Sequence, residues 1–228
     1  MAARNEGERI RATLDALAEA LPGARLLVAD DASSDDTPQI AMRRGAWVVG
    51  RRRPHGKGAN VTAAAHAALG EFDGGATVLL CDADLGESAG RLVALVEAVE
   101  AGDCDLALAA FADARVPDRA TRFVRSGGFG VALGYARRVV ERLCGARVAA
   151  PLSGQRAMRL STLRRLLPFA DGWGMETGMT IDAVRAGYRV AEIEVPLEHR
   201  VSGRTPAGFL HRASQLRDIR RAARARSR

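Results

Sequence analysis

The sequence predicts an α/β fold with a mostly parallel sheet flanked by helices, and three observations carry that expectation. Short apolar runs at 25–30 (RLLVAD), 46–50 (AWVVG), 76–85 (ATVLLCDADL) and 104–110 (CDLALAA) recur along the chain. They are too continuously apolar for half-exposed strands, so they read as strands covered on both faces. Between them lie segments of helical periodicity, and such alternation calls for right-handed crossovers between parallel neighbours. At 228 residues, with 47% hydrophobic and 27% charged side chains, the chain suits one core with an appended lobe.

The elements follow in order. Ile10, Leu14, Leu17 and Leu21 repeat at helical spacing, and Asn5 with Glu8 fits a capping box at the start of that helix. The strand at 25–30 leads to a short helix at 37–44 stopped by Gly45, then the strand at 46–50 and a helix at 59–69. After the run at 76–85, a helix at 88–101 carries Leu92, Leu95, Val96 and Val99 on one face and precedes the strand at 104–110. The rhythm then changes: a polar loop at 112–122, a glycine-interrupted helix at 123–143, a loop at 151–156, and a short helix capped by Ser161. A helix at 175–186, a strand at 188–195 and an arginine-rich amphipathic helix at 209–228 complete the chain. We expect one domain whose first half, 1–111, binds one substrate and whose second half, 112–228, completes the site.

Composition narrows the function. No window approaches a membrane span and the N-terminus carries no signal-peptide core, which leads us to expect a cytoplasmic location. Three scattered cysteines, Cys81, Cys104 and Cys144, support neither a disulfide framework nor a zinc site. The net charge of +7 suggests nucleic acid, but aromatic residues are only 4% and no basic stretch is interleaved with stacking rings, so nucleic acid is not expected. Lys57 is the sole lysine; every other basic residue is arginine.

The chemistry concentrates at strand ends, where ligands bind in open α/β sheets. Asp82 and Asp84, at i and i+2 on the end of an extended strand, point the same way and suit one hard divalent cation, although Asp-Ala-Asp also serves as a turn before a helix. The tip at 30–37 (DDASSDDT) holds more acids than a helix cap needs, which suggests hydrogen bonding to a base or ribose. Lys57 sits between Gly56 and Gly58 at a helix start, where backbone amides and an ammonium suit an anion, but the P-loop spacing is missing.

The order of these motifs resembles a family-2 glycosyltransferase with the GT-A fold. Asn5-Glu6, Asp30-Asp31, Gly56-Lys57-Gly58 and Asp82-Ala83-Asp84 look like its nucleotide-sugar half. Leu152 to Arg156 (LSGQR), Gly174 to Thr177 (GMET), Glu198-His199-Arg200 and Gly203-Arg204 look like its acceptor half, similar to dolichol-phosphate mannosyltransferases and glucosyl-3-phosphoglycerate synthases. The resemblance implies a nucleotide-sugar donor contacted by Asn5, Glu6, Asp30, Asp31, Lys57 and Asp82. It also implies Mg²⁺ or Mn²⁺ on Asp84 and His199. Ser153, Gly154, Gln155, Arg156, Arg200 and Arg204 would bind an acceptor or its phosphate, and Glu176 would be the general base for a hydroxyl acceptor. A phosphate acceptor needs no base.

Three further expectations follow. Family members begin with a buried strand running into Asn-Glu, and only four residues precede Asn5 here, so the first strand is expected to be missing. The C-terminal helix, with Phe209, Leu210, Leu216 and Ile219 opposed to seven arginines, offers a face to an anionic membrane surface or else packs on the protein. The alternatives to a transferase are a receiver-type phosphoacceptor protein, suggested by the acidic pair at 30–31, and a non-catalytic binding protein of the same fold.

Overall fold

The structure, a computed structural model, describes residues 1–111, 129–197 and 206–227. Seven strands and eight α-helices are present among them. In chain order these are β1 (Ala2–Ala3), α1 (Ile10–Ala20), β2 (Leu27–Asp30), α2 (Thr37–Arg43), β3 (Trp47–Gly50), α3 (Lys57–Glu71), β4 (Thr77–Leu80) and α4 (Val93–Glu100). Then come β5 (Leu106–Phe111), α5 (Phe129–Cys144), β6 (Arg156–Arg159), α6 (Leu160–Leu166), α7 (Met175–Arg185), β7 (Val190–Val195) and α8 (Pro206–Ala225). Two 3-10 segments, Gly86–Leu92 and Gly172–Gly174, lead into α4 and α7.

The strand expected to be missing is present as a two-residue stub. Ala2 and Ala3 pair in parallel with Ala29 and Asp30 of β2. On the other side a parallel bridge joins Ala2 to Asp82, and Ala2 N donates to Cys81 O at 3.1 Å. This stub links the parallel group β1-β2-β3 to the second group, ordered β4-β6-β5-β7. Within the second group β6 alone runs antiparallel to its neighbours. That topology positions the site: the tips of β2 and β4 share one edge of the sheet, and the segment entering β6 starts from the same edge, with Arg156 opposite Leu80.

Because β6 lies between β4 and β5, the two halves of the chain share one sheet. No strand is expected at 156–159 from the residues alone, where the pattern reads as a loop ending at Arg156. The Arg-Ala-Met-Arg segment has little β-branched or aromatic character, and it is a strand because both faces are covered, with Ala157 and Met158 at 0% exposure. Apolar clusters cover the sheet on each side. One contains Leu106, Leu108, Met158, Met175 and Met179; the other contains Leu85, Leu92, Leu95, Ala107 and Val195.

One local expectation is corrected, and of the two alternatives for α8 the packed one is seen. Asn5 does not cap α1, which begins five residues later with Arg9 as its cap residue and no side-chain cap bond. Asn5 instead adopts the left-handed region at φ 55°, and its Oδ1 accepts from Ser34 N at 2.8 Å. The apolar face of α8 is used on protein: Ile219, Ala222 and Ala223 are buried against the elements around them. The side chains of Phe209, Leu210 and Arg212 lie outside the described residues, and no helix among the described residues is long and apolar enough to cross a membrane.

Candidate active site

Lys57 is the first residue of α3, and the sheet brings to it two carboxylates distant in sequence. Its Nζ stands 2.6 Å from Asp82 Oδ1 and 2.8 Å from Glu176 Oε1, and 5.8 Å from the centroid of the Trp173 ring. Gln155 Nε2 donates to the other oxygen of Asp82 at 2.9 Å. The cluster therefore joins the N-terminus of α3, the end of β4, the entry to β6 and the first turn of α7. Burial opposes the charge on both partners, but the opposed charges outweigh it, so Lys57 lies above the ordinary lysine range and Asp82 below the ordinary carboxylate range.

Close packing leaves no slack around this ion cluster. A Cβ on Gly154 would lie 2.6 Å from Asp82 Oδ2 and 2.7 Å from Lys57 Nζ, so a larger residue there would have to displace the Asp82–Lys57 pair. A Cβ on Gly58 would overlap the carbonyl oxygen of Ala170. Arg156 supports the same segment from beneath. It is fully buried and donates to Ser153 O at 2.8 Å, Pro151 O at 3.1 Å and Thr180 Oγ1 at 2.9 Å. Burial draws its pKa down to about 10, which leaves it charged at neutral pH.

Asp84, two residues beyond Asp82, has a different environment. Its half-buried carboxylate meets its own backbone amide and forms no ion pair among the described residues. Burial, and secondarily the charge of Asp82, push it above the ordinary carboxylate range. A carboxylate that is partly desolvated and repelled by its neighbour gains most from a cation, and Asp84 supplies one hard oxygen ligand there, with no cluster of three or more His, Cys, Asp or Glu suited to a metal among the described residues. The turn that carries Asp84 is held by Thr13 of α1, whose Oγ1 donates to Ala83 O and accepts from Gly86 N, both at 2.9 Å.

The acids of the β2 tip are occupied by the protein. Asp30 accepts from the backbone and hydroxyl of Ser33. Asp31 is 6% exposed and accepts from His55 N at 2.8 Å and Gly56 N at 3.0 Å. It thereby fixes the loop that delivers Lys57. The N-terminal loop is laced to the same tip, for Asn5 N donates to Ser33 Oγ, Glu6 N to Thr37 Oγ1 and Gly7 N to Asp35 Oδ2.

Several residues singled out by the sequence have protein partners in this structure. Lys57, expected to face a nucleotide diphosphate, has its ammonium on two protein carboxylates. Arg156, expected to hold an acceptor phosphate, spends its guanidinium on the loop below the site. Glu176, expected to be a general base, is 2% exposed and is the counter-ion of Lys57. His199, Arg200 and Arg204 lie outside the described residues. Thr13, Trp173 and Thr180 join the site without having been expected there. Thr13 had a signal, since a hydroxyl interrupts the buried face Ile10, Leu14, Leu17 of α1; the other two had none. The cysteines are free, and burial pushes the Cys81 thiol up to about 11, which agrees with an unreactive core residue.

A mostly parallel α/β sheet flanked by helices, with acidic residues at its strand tips, matches the architecture of the GT-A glycosyltransferases. The profile of glycosyl transferase family 2 matches residues 1–149. The chain belongs to glycosyl transferase family 2, and the receiver-type alternative falls with that match. An uncharacterized glycosyltransferase of Mycobacterium tuberculosis is 31% identical over 207 residues, 88% of this chain and 84% of that protein. Glycosyltransferase AglD of Haloferax volcanii is 30% identical over 205 residues, 86% of this chain; the match spans only 31% of AglD's length. Among solved structures, glucosyl-3-phosphoglycerate synthase from Mycobacterium tuberculosis in complex with phosphoglyceric acid superposes with a TM-score of 0.78 at 26% identity, over 99% of this chain and 77% of that one. The same enzyme in complex with Mn²⁺, UDP-glucose and phosphoglyceric acid gives 0.75 at 26% identity, over 99% and 77%.

Proposed function

We propose that this glycosyltransferase moves a hexosyl group from a nucleoside-diphosphate sugar to a phosphate-bearing acceptor, with Mg²⁺ or Mn²⁺ held at Asp84. The observation that carries the reading is the contrast at one strand tip: Asp82 is locked by Lys57 and Gln155, while Asp84 forms no ion pair among the described residues and feels Arg9 and Lys57 only at longer range. The solved relative crystallised with Mn²⁺ and UDP-glucose supports both the donor class and the ion. His199 is the second ligand suggested by the sequence.

A divalent ion there would neutralise the charge that develops on the departing nucleoside diphosphate. The chain's own residues do the positioning. Lys57 and Gln155 hold the Asp82 carboxylate in one orientation, available on the side facing the donor ribose. Arg156 and Gly154 shape the segment over which the acceptor approaches. The pairing of Glu176 with Lys57 favours an acceptor whose attacking oxygen is already anionic, since a hydroxyl would require Glu176 to exchange its ammonium partner for substrate. The cytoplasm is the compartment in which such donors are met, and a peripheral position at a membrane would rest on the exposed arginines of α8 alone.

The test is a thermal-shift panel of UDP-, GDP- and ADP-sugars with and without Mn²⁺. We expect one nucleotide class to raise the melting temperature only when Mn²⁺ is present, by the mass-action stabilisation of about 3 kcal/mol that a ligand at a hundredfold excess over its Kd supplies. The absence of a metal-dependent shift with all three would overturn the assignment.

A further inference from the structure

The ion cluster around Lys57 is pressed from behind by a helix that contributes no residue to it. Gly172, Trp173 and Gly174 form a tight knuckle between the start of α3 and the flank of α8. On the α3 side, Gly58 passes so close to Ala170 that a Cβ would overlap the Ala170 carbonyl oxygen, and a Cβ on Gly56 would touch Gly172 Cα at 3.6 Å. On the α8 side, Gly172, at φ 56°, meets the Asp218 carboxylate so closely that a Cβ would overlap it. A Cβ on Gly174 would stand 2.8 Å from both Ala222 Cβ and Asp218 O. Asp218 Oδ2 accepts from Trp173 N at 3.3 Å.

The knuckle carries two parts of the site. The Trp173 ring lies over the Lys57 ammonium, and the chain leaves the knuckle directly into α7, whose second residue is Glu176. A movement of the knuckle on α8 therefore shifts the ring and the counter-ion together. We propose that Asp218 is a positioning residue: from α8 it fixes the Gly172–Gly174 knuckle, and through it the placement of Trp173 and Glu176 around Lys57. The C-terminal helix is thus part of the donor-site scaffold. A second anchor of α8, the pair Arg226 with Asp182 of α7, meets α7 beside Gly178 and, among the described residues, makes no hydrogen bond to Gly172–Gly174, so it offers a control for loosening α8 without cutting the Asp218 contact.

Trp173 is one of only two tryptophans, so Trp47→Phe makes it the sole indole reporter. In that background Asp218→Ala removes the acceptor for Trp173 N, whereas Asp218→Asn keeps an acceptor oxygen and removes the charge. We expect Asp218→Ala to raise acrylamide quenching of Trp173 and to weaken binding of UDP with Mn²⁺ about fivefold, the effect of one hydrogen bond of about 1 kcal/mol. If the panel above ranks GDP or ADP first, that nucleotide replaces UDP. Asp218→Asn should restore both readouts. Arg226→Gln, which loosens α8 elsewhere, should lower the melting temperature and leave quenching and affinity unchanged. Should the alanine variant fail to fold, Asp218→Ser, too short to reach Trp173 N, takes its place. Quenching in Asp218→Ala equal to the parent, or Asp218→Asn behaving as the alanine variant, or Arg226→Gln reproducing the full effect, overturns the inference. The nucleotide arm rests on the proposed function, whereas the fluorescence arm does not, so if the parent fails to bind nucleotide the quenching results alone decide the inference.

Discussion

Lys57→Met lowers the melting temperature by roughly 6 to 12 °C, the expected consequence of leaving Glu176 and Asp82 without their shared cation. Removing one member of a buried pair costs about 3 to 5 kcal/mol because the other charge stays buried and uncompensated. The Glu176 side chain is 3% exposed, but Asp82 is 33% exposed and partly screened, so the lower figure, about 3 kcal/mol, applies. At about 2 to 4 °C per kcal/mol for a chain of this size, that gives the stated range. Its pH dependence has a definite form. A raised lysine contributes fully below its ordinary value of 10.5 and is lost only above it, and a depressed carboxylate contributes fully above 3.8 and is lost below it. The wild-type contribution should therefore be flat from about pH 5 to pH 10, and the deficit should shrink toward the acid end, where the carboxylates left buried without a cation take up protons. Adding Glu176→Gln to Lys57→Met should recover part of the loss, since the remaining buried partner is then neutral. A deficit below about 1 kcal/mol, the value of an exposed pair, would show that the cluster is not buried as described.

Asp84→Asn produces the opposite sign in the ligand-free protein. The Asp84 carboxyl has no ion pair to lose among the described residues, and burial together with the Asp82 charge disfavours its ionised form. Neutralising it should raise the melting temperature at neutral pH, with the gain vanishing once the pH falls below the ordinary 3.8 and the wild-type carboxyl is protonated in both states. The same variant should lose the Mn²⁺-dependent shift with nucleotide. A residue whose removal stabilises the resting protein and abolishes ligand binding is held for function. Differential scanning fluorimetry of Asp84→Asn across pH, with and without Mn²⁺ and nucleotide, checks both halves. A drop in the ligand-free melting temperature would mean that Asp84 has a structural partner.

Much of this was legible in the sequence because the legible part is local. The runs ending at Asp30 and Asp82 are apolar up to the carboxylate, and their alternation with helices points to a parallel sheet with its ligand edge. The pairing of Lys57 was not legible, since Asp82 lies 25 residues away and Glu176 comes from a helix in the other half of the chain, so only the topology joins them. β6 was hidden for a related reason. The pattern ends a loop at Arg156 and offers its guanidinium to an acceptor phosphate, yet Arg156 is fully buried because three acceptors from the Pro151–Ser153 turn and α7 surround it. The capping box at Asn5 failed because the Asn5 side chain has a stronger use in tying the N-terminal loop to Ser34. The stub β1 shows that two residues suffice to bridge β2 and the β4 tip when their backbone groups have partners on both sides.

Metal-dependent transfer from a nucleoside-diphosphate sugar, with the ion at Asp84, is checked by measuring nucleoside-diphosphate release from UDP-, GDP- and ADP-glucose, with phosphoglycerate or a polyprenyl phosphate as acceptor, by wild-type protein and Asp84→Ala. We expect release from one of these donors by the wild type that requires both Mn²⁺ or Mg²⁺ and an acceptor, and its loss in Asp84→Ala. Release that is undiminished by chelation, or equal in Asp84→Ala, would contradict it.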